Sequence, residues 1–296
     1  MIADLDRRLA EFVNREDEMR RFCRLLDGRG KAIIAVSGVG GVGKSSLLAR
    51  MIHECALRKV RKSEITWTDT RNHDYLAVMR KIRDDIGPEA FRGFTDLVNF
   101  FTVPQYQLNV MVEGAARISV ANGASVSDAE VGDVAGIVIK DFMLSAPRND
   151  MGVPEAERMA RLTDAFVHDL TADLRARGPL MLFLDATEKM SETTRQWVWG
   201  ELLTAIRDSR LAGLMVVLSG RVRPELARDW QLLVDCVDLS PLSREHILQY
   251  LERRGIAVHY RNAVADMLLI STQGNVLQIA TYVDAFLQMQ EDNAVA

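Results

Sequence analysis

The chain has 296 residues, 48% of them hydrophobic and 26% charged, enough to bury a large core as one domain with an appendage or as two domains. Its formal net charge of −4 provides no overall basic field, which argues against nucleic acid as the main partner while leaving room for local basic patches. Cys23, Cys55 and Cys236 are odd in number and widely spaced, so packed thiols are expected rather than disulfides or a metal site.

Asp4, Asp6, Arg7 and Arg8 interrupt any leader-like apolar core, and no apolar run is long enough to span a bilayer. A cytoplasmic protein without membrane contact is expected. Residues 1–30 read as a leading helical segment. Asn14 stands as a cap before Arg15-Glu16-Asp17-Glu18, and Met19, Phe22, Cys23 and Leu26 recur at helical spacing up to Gly28.

Residues 31–57 are the centre of the chain. The β-branched run Ala32–Val36 suits a strand buried on both faces of a parallel sheet. Gly38-Val39-Gly40-Gly41-Val42-Gly43-Lys44-Ser45 then fits G-x-x-x-x-G-K-S/T, and Leu47, Leu48, Met51, Ile52 and Cys55 supply the helix that must follow. A triphosphate needs backbone N–H donors at a helix N-terminus, and glycines let the main chain curl around phosphate oxygens. The main chain from Gly38 to Ser46 is therefore the expected phosphate cradle. Lys44 is expected on the β- and γ-phosphates and the Ser45 hydroxyl on Mg²⁺.

A second strand is expected over Glu64–Thr70, followed by a helix capped near Asn72 or Asp74 and ended by Gly87-Pro88. From about Thr102 to Asp150 the pattern changes to short β-like runs, Arg117–Gly123 and Val131–Ile139, broken by turn residues. This β-rich insertion has too little apolar bulk for its own core. It reads as a β arm docked on the domain or on a neighbouring subunit, or as a partly mobile loop.

A long amphipathic helix from Pro154 to Gly178 leads into Leu180-Met181-Leu182-Phe183-Leu184-Asp185. A buried strand ending in Asp places a carboxylate at the sheet edge where open α/β sheets bind ligands. Asp185 there either turns the chain or, facing the phosphate loop, joins the Mg²⁺ shell. Glu188 either orients or deprotonates the attacking water or is a solvated loop acid. A helix capped by Ser191 precedes the strand Leu214–Arg221, where Arg221 either senses a γ-phosphate or forms a surface ion pair. Asp235–Leu239 is the last expected strand. Three helices then read as a lid, one capped by Ser243, one over about 261–270, and one carrying Val276, Ile279, Ala280, Val283 and Phe286.

The expected architecture is a three-layer α/β P-loop NTPase with a parallel sheet over 31–242, interrupted by the insertion at 102–150 and followed by a helical lid over 243–296. In this order the motifs resemble those of STAND-type P-loop NTPases, signalling relatives of AAA+ ATPases that include NACHT and NB-ARC domains. Phe12–Glu18 resembles their Gly-Arg-Glu box, with Asn14 in place of Gly. Ser219-Gly220-Arg221 is similar to their sensor 1, Leu239-Ser240-Pro241-Leu242 to the proline region of their lid, and Gly274-Asn275-Val276-Leu277 to Gly-Asn-Pro-Leu.

The resemblance implies that Val13 and Arg15 lie near base and ribose, Lys44 and Ser45 on phosphate and Mg²⁺, Asp185 on Mg²⁺, Arg221 on the γ-phosphate, and Pro241 against the base. Ala186 stands where a second acid often follows Asp185, so water activation falls on Glu188 or is lost and hydrolysis is slow. ATP and ADP are the expected ligands, since no Asn-Lys-x-Asp base-reading motif occurs.

The function this implies is an ATP-dependent switch that self-associates in its ATP state or signals to an effector, in pathways that for relatives include defence. Effector and sensor are expected as separate or fused proteins. Two other readings stand. One is an AAA+-like motor or loader on nucleic acid or protein, completed in trans by an arginine such as Arg207, Arg210 or Arg223. The other is a scaffold that holds nucleotide without cleaving it.

Overall fold

The structure, a computed structural model, describes residues 12–69, 71, 74–102, 108–112, 117–119, 139–144 and 153–295, with side chains for 12–69, 71, 74–102 and 153–289. Two compact units divide it, one formed by 1–90 with 170–296 and the other by 91–169.

In the larger unit, α1 (Glu16–Leu26) precedes β1 (Ile33–Ser37), α2 (Lys44–Leu57), β2 (Arg61–Thr66) and α3 (Tyr75–Ile86). After the second unit the chain continues through β6 (Leu180–Asp185), α6 (Glu192–Trp197), a π turn at Val198–Leu202, α7 (Leu203–Arg207), β7 (Leu214–Gly220) and β8 (Val234–Asp238). The strands form one five-stranded parallel sheet in the order β2-β6-β7-β1-β8. This is a P-loop NTPase fold.

The central strands read as unbroken apolar runs because both faces are covered. Ile34, Val36, Met181, Phe183, Val217 and Val237 face one core with Phe22 and Leu25 of α1 and Leu47, Leu48, Met51 and Cys55 of α2. The alternate residues Ile33, Ala35, Leu182, Leu184, Val216 and Leu218 are buried as well. Parallel register pairs Val36 with Ser219 and Ser37 with both Gly220 and Asp238, so the loops after β1 and β7 leave the sheet at the same level.

Two expected elements shift. The second strand is Arg61–Thr66 rather than Glu64–Thr70. It is a sheet edge, where charged Arg61, Lys62 and Glu64 are tolerated and where an apolar pattern is not required. Asp74 caps α3, its side chain accepting from Ala77 N, while Asn72 lies outside the described residues. Asn14 does not cap α1. Its Oδ1 accepts from Arg15 N at 2.8 Å, and both residues take the left-handed conformation, at φ 60 and 90. Asn is the non-glycine residue that tolerates this region best, which accounts for Asn14 standing in the place of Gly.

The second unit contains α4 (Arg92–Thr102), the strands β3 (Leu108–Val112), β4 (Arg117–Ser119) and β5 (Ile139–Leu144) in an antiparallel sheet ordered β4-β3-β5, and most of α5 (Glu155–Arg177). The remainder of the expected runs 117–123 and 131–139 lies outside the described residues. Phe91, Phe94 and Phe166 form an aromatic cluster with ring centroids 5.3 and 5.4 Å apart, and Asp169 accepts from Phe94 N at 2.9 Å. Its core thus comes from the flanking helices, and α4 was not among the expected elements.

After β8, α8 (Arg244–Arg253), α9 (Val258–Thr272) and α10 (Val276–Val295) form a helical layer with its own core of Leu242, Ile247, Tyr250, Leu251, Ile256, Ala265, Leu268, Ile279 and Val283. Val13 joins this core, so the leading segment and the lid are packed together.

Candidate nucleotide site

The loop between β1 and α2 has every carbonyl from Gly38 to Gly43 held by a donor. Lys44 Nζ donates to Gly38 O at 2.6 Å and Val39 O at 3.0 Å. Asn275 Nδ2 donates to Gly40 O at 2.8 Å, Leu277 N to Gly41 O at 3.0 Å, and Arg15 Nη2 to Val42 O at 3.1 Å. Gly43 O accepts from Leu47 N within the helix start. Gly41 and Gly43 have φ of 78 and 101, a region glycine adopts without cost. The loop therefore ends at the N-terminus of α2, where unpaired N–H groups and the helix dipole favour an anion.

Lys44 sits among charges. Burial pulls its ammonium pKa below the ordinary value, while Glu188 and Asp185 oppose that shift and Arg221 adds to it. Asp185, Glu188 and Arg221 are thus near enough to act on the charge of Lys44, and Glu188 touches Arg221. Ser219 is the last link between their strands. It pairs with Val36 in register, and one residue beyond the Leu184–Leu218 pair stand Asp185 and Ser219 themselves.

Glu188 follows Asp185 through a short 3₁₀ turn opened by Ala186, which takes the left-handed conformation at φ 59. Its Oε1 lies 3.2 Å from Arg221 Nε, and its Oε2 is buried with no hydrogen-bond partner. Arg221 is exposed, and its guanidinium lies 3.9 Å from where a Cβ on Gly40 would stand. Ser219 Oγ, fully buried at the end of β7, likewise has no partner. Two unpaired oxygens at the carboxyl edge of a parallel sheet mark the side of the loop where polar ligand atoms can be received.

A cavity of about 430 Å³ opens beside the loop. Gly41, Val42, Gly43, Lys44, Ser45 and Ser46 form one end; Val13 and Arg15 come from the leading segment, Leu242 and Tyr250 from the lid, and Val276, Ile279, Ala280, Thr281 and Asp284 from α10. An anion-binding turn joined to an apolar cavity with a few polar groups is the shape a nucleotide requires.

Of the residues expected near the base, Val13 lines this cavity. Arg15 does too, but its guanidinium is 5% exposed and is spent on Val42 O and on Ser240 O at 2.7 Å, with Glu18 at 3.6 Å. Burial lowers its pKa, with Glu18 opposing. It braces the loop rather than presenting a free donor to ribose. Pro241 is exposed and is not among the lining residues; Leu242 takes that place because the backbone turns at Gly274, where Leu242 N donates to Gly274 O.

No group of three or more His, Cys, Asp or Glu able to hold a metal occurs among the described residues. Ser45, in the first turn of α2, and Asp185, at the end of β6, carry oxygens of the hard kind that Mg²⁺ takes beside waters and phosphates. Asn275, Tyr250, Thr281 and Asp284 were not foreseen; the only sequence signal was Gly274-Asn275-Val276-Leu277, which marked a helix start without showing what that start touches.

No curated protein matches the sequence. Among solved structures, the chain is similar to the Walker-type ATPase PABY2304 of Pyrococcus abyssi (15% identity, TM-score 0.48, covering 94% of this chain and 68% of that one). It is similar to the STAND protein PH0952 of Pyrococcus horikoshii with a tetratricopeptide repeat sensor (15% identity, TM-score 0.44, covering 90% of this chain and 29% of that one). It is also similar to Cdc6p of Pyrobaculum aerophilum (14% identity, TM-score 0.47, covering 95% and 64%). The chain thus spans less than a third of the STAND protein. At the level of sequence, residues 11–217 match the profile of the AAA ATPase domain, which takes in well over half of the chain, and the protein belongs to that family.

Proposed function

We propose that this ATPase domain is a slowly hydrolysing, ATP- and Mg²⁺-dependent switch of the STAND type, acting in the cytoplasm through self-association in its ATP state or through a separate or fused effector and sensor. The observation that carries the reading is the shared cavity. Phosphate loop and lid line one space, so a ligand that fills it contacts both and biases how they sit together. Lys44 neutralises phosphate charge, Ser45 and Asp185 supply the protein oxygens for the metal, and Arg221 reaches the far end of the phosphate loop at Gly40.

Slow turnover fits the acid's position. Ala186 occupies the site of a second acid in a left-handed turn, so Glu188 is the water-activating candidate, and it is held by Arg221. An AAA+ motor is the rival reading. It needs an arginine to complete a neighbour's site. Arg207 is paired with Asp208 and Asp229 and Arg223 with Asp238 at 2.6 Å, exposed pairs that are weak. Arg210 is the third candidate, so the choice rests on the ATPase measurement below.

Mass and nucleotide content of the purified chain in ATP, in ADP and in neither test the reading. Different assembly states with ATP and ADP, with nucleotide retained, support it; one mass in all three conditions with no retained nucleotide refutes it. Steady-state ATPase strongly stimulated by DNA would move the choice to the motor.

A further inference from the structure

The first turn of α10 does more than close the lid. Asn275 Oδ1 accepts from Gln278 N at 3.3 Å, which caps the helix, while Nδ2 of the same amide donates to Gly40 O at 2.8 Å. Two residues on, Leu277 N donates to Gly41 O at 3.0 Å. Two consecutive loop peptides are thus gripped from the lid.

We infer that Asn275 is a positioning residue of the phosphate cradle, fixing from the lid the peptide plane whose N–H must face the phosphates. The inference rests on the nucleotide-binding reading above. A trans peptide is planar, so its C=O and the following N–H point in opposite directions. Holding Gly40 O against Asn275 turns the Gly41 N–H away from the lid helix and into the turn of the loop. This peptide joins two glycines, the residue type with the fewest conformational restraints, and so is the one most free to flip when nothing holds it.

The space for the grip is kept by sequence. A Cβ on Gly41 would stand 2.5 Å from Asn275 Oδ1, and Gly41 has φ 78, so any side chain there would expel the amide. Gly274, at φ 78, brings Asn275 to the loop: a Cβ there would stand 2.3 Å from Leu242 O. Val276 packs on Gly43 from the same turn, 3.4 Å from its Cβ position. The set of the Gly40–Gly41 peptide, and with it the affinity for phosphate, therefore depends on Asn275.

The test separates the cap from the grip. Asn275→Ser keeps an oxygen that can cap α10 but cannot reach Gly40 O; Asn275→Asp also caps and sets an acceptor against that carbonyl. Titration calorimetry on the full chain, with ADP, inorganic pyrophosphate and adenosine as probes, is expected to show Asn275→Ser losing roughly five- to tenfold in affinity for ADP and pyrophosphate. Adenosine affinity and Tm stay at parental values, and Asn275→Asp loses more. ADP affinity within twofold of the parent in both variants overturns the inference, as does an equal loss for adenosine and ADP. Lys44→Ala distinguishes the two failures. If it binds ADP as tightly as the parent, the nucleotide-switch reading itself falls; if it loses ADP while Asn275→Ser does not, only the role of Asn275 falls.

Discussion

Arg221 Nε stands 3.2 Å from Glu188 Oε1 at the sheet edge, so the γ-phosphate sensor and the candidate base expected from the sequence are partners of each other. The other Glu188 oxygen is buried and unpaired, free to accept from a water. Glu188→Gln is expected to cut turnover by about 10²-fold or more while ADP affinity moves less than twofold. On the proposed reading of Arg221 as the γ-phosphate contact, Arg221→Ala is expected to weaken ATP by roughly tenfold and ADP hardly at all. Single-turnover hydrolysis and nucleotide titration check both. Unchanged turnover in Glu188→Gln removes that acid from the mechanism.

Arg15 is a brace, and its substitutions should show it. The guanidinium bonds two carbonyls, Val42 O and Ser240 O, that are 198 residues apart in sequence, from a backbone held at φ 90. Removing a buried charged donor strands both acceptors, so Arg15→Ala is expected to cost about 2–3 kcal/mol. Lysine is a point donor without the planar fork, and Arg15→Lys should recover less than half of that. Chemical denaturation of the nucleotide-free chain measures it. Equal stability of Arg15→Ala and the parent would show that the bonds are replaced by water.

What could be read from the sequence follows from how local each cause is. The buried strands, the glycine loop and Asp185 announce themselves because their residue types are dictated by neighbours in the chain. β2 was displaced because an edge strand with Arg61 and Lys62 has no apolar signature, and α4 was missed because only Phe94 and Val98 mark its buried face. The loop grips of Asn275 and Arg15 leave no local signal for another reason. Their partners lie 235 and 27 residues away, and nothing local distinguishes a side chain that grips a loop carbonyl from one that faces a ligand.

Cys55 reports on the packing of α2 behind the loop. It is fully buried in the core shared with Phe22 and Met181, and desolvation pushes its pKa up to about 12, with Lys62 opposing. The thiolate is the reactive form, so in the folded chain this thiol should resist an aromatic disulfide reagent through pH 9 and react fully once denatured. Counting labelled thiols before and after denaturant checks it. Rapid labelling of Cys55 at pH 8 in the native chain would mean that α2 opens on that timescale.

Ser219 separates function from stability. Its hydroxyl is fully buried at the end of β7, has no partner, and lies between the strand that carries the phosphate loop and the strand that ends in Asp185. A buried hydroxyl without a hydrogen bond costs about 1–3 kcal/mol, a cost that a purely structural position would avoid with alanine. Ser219→Ala should therefore leave Tm equal to or above that of the parent. If the hydroxyl is kept to receive a phosphate oxygen or the attacking water, the same variant loses roughly tenfold in turnover and little in ADP affinity. A variant with lowered Tm and parental turnover would place Ser219 in the fold and outside the chemistry.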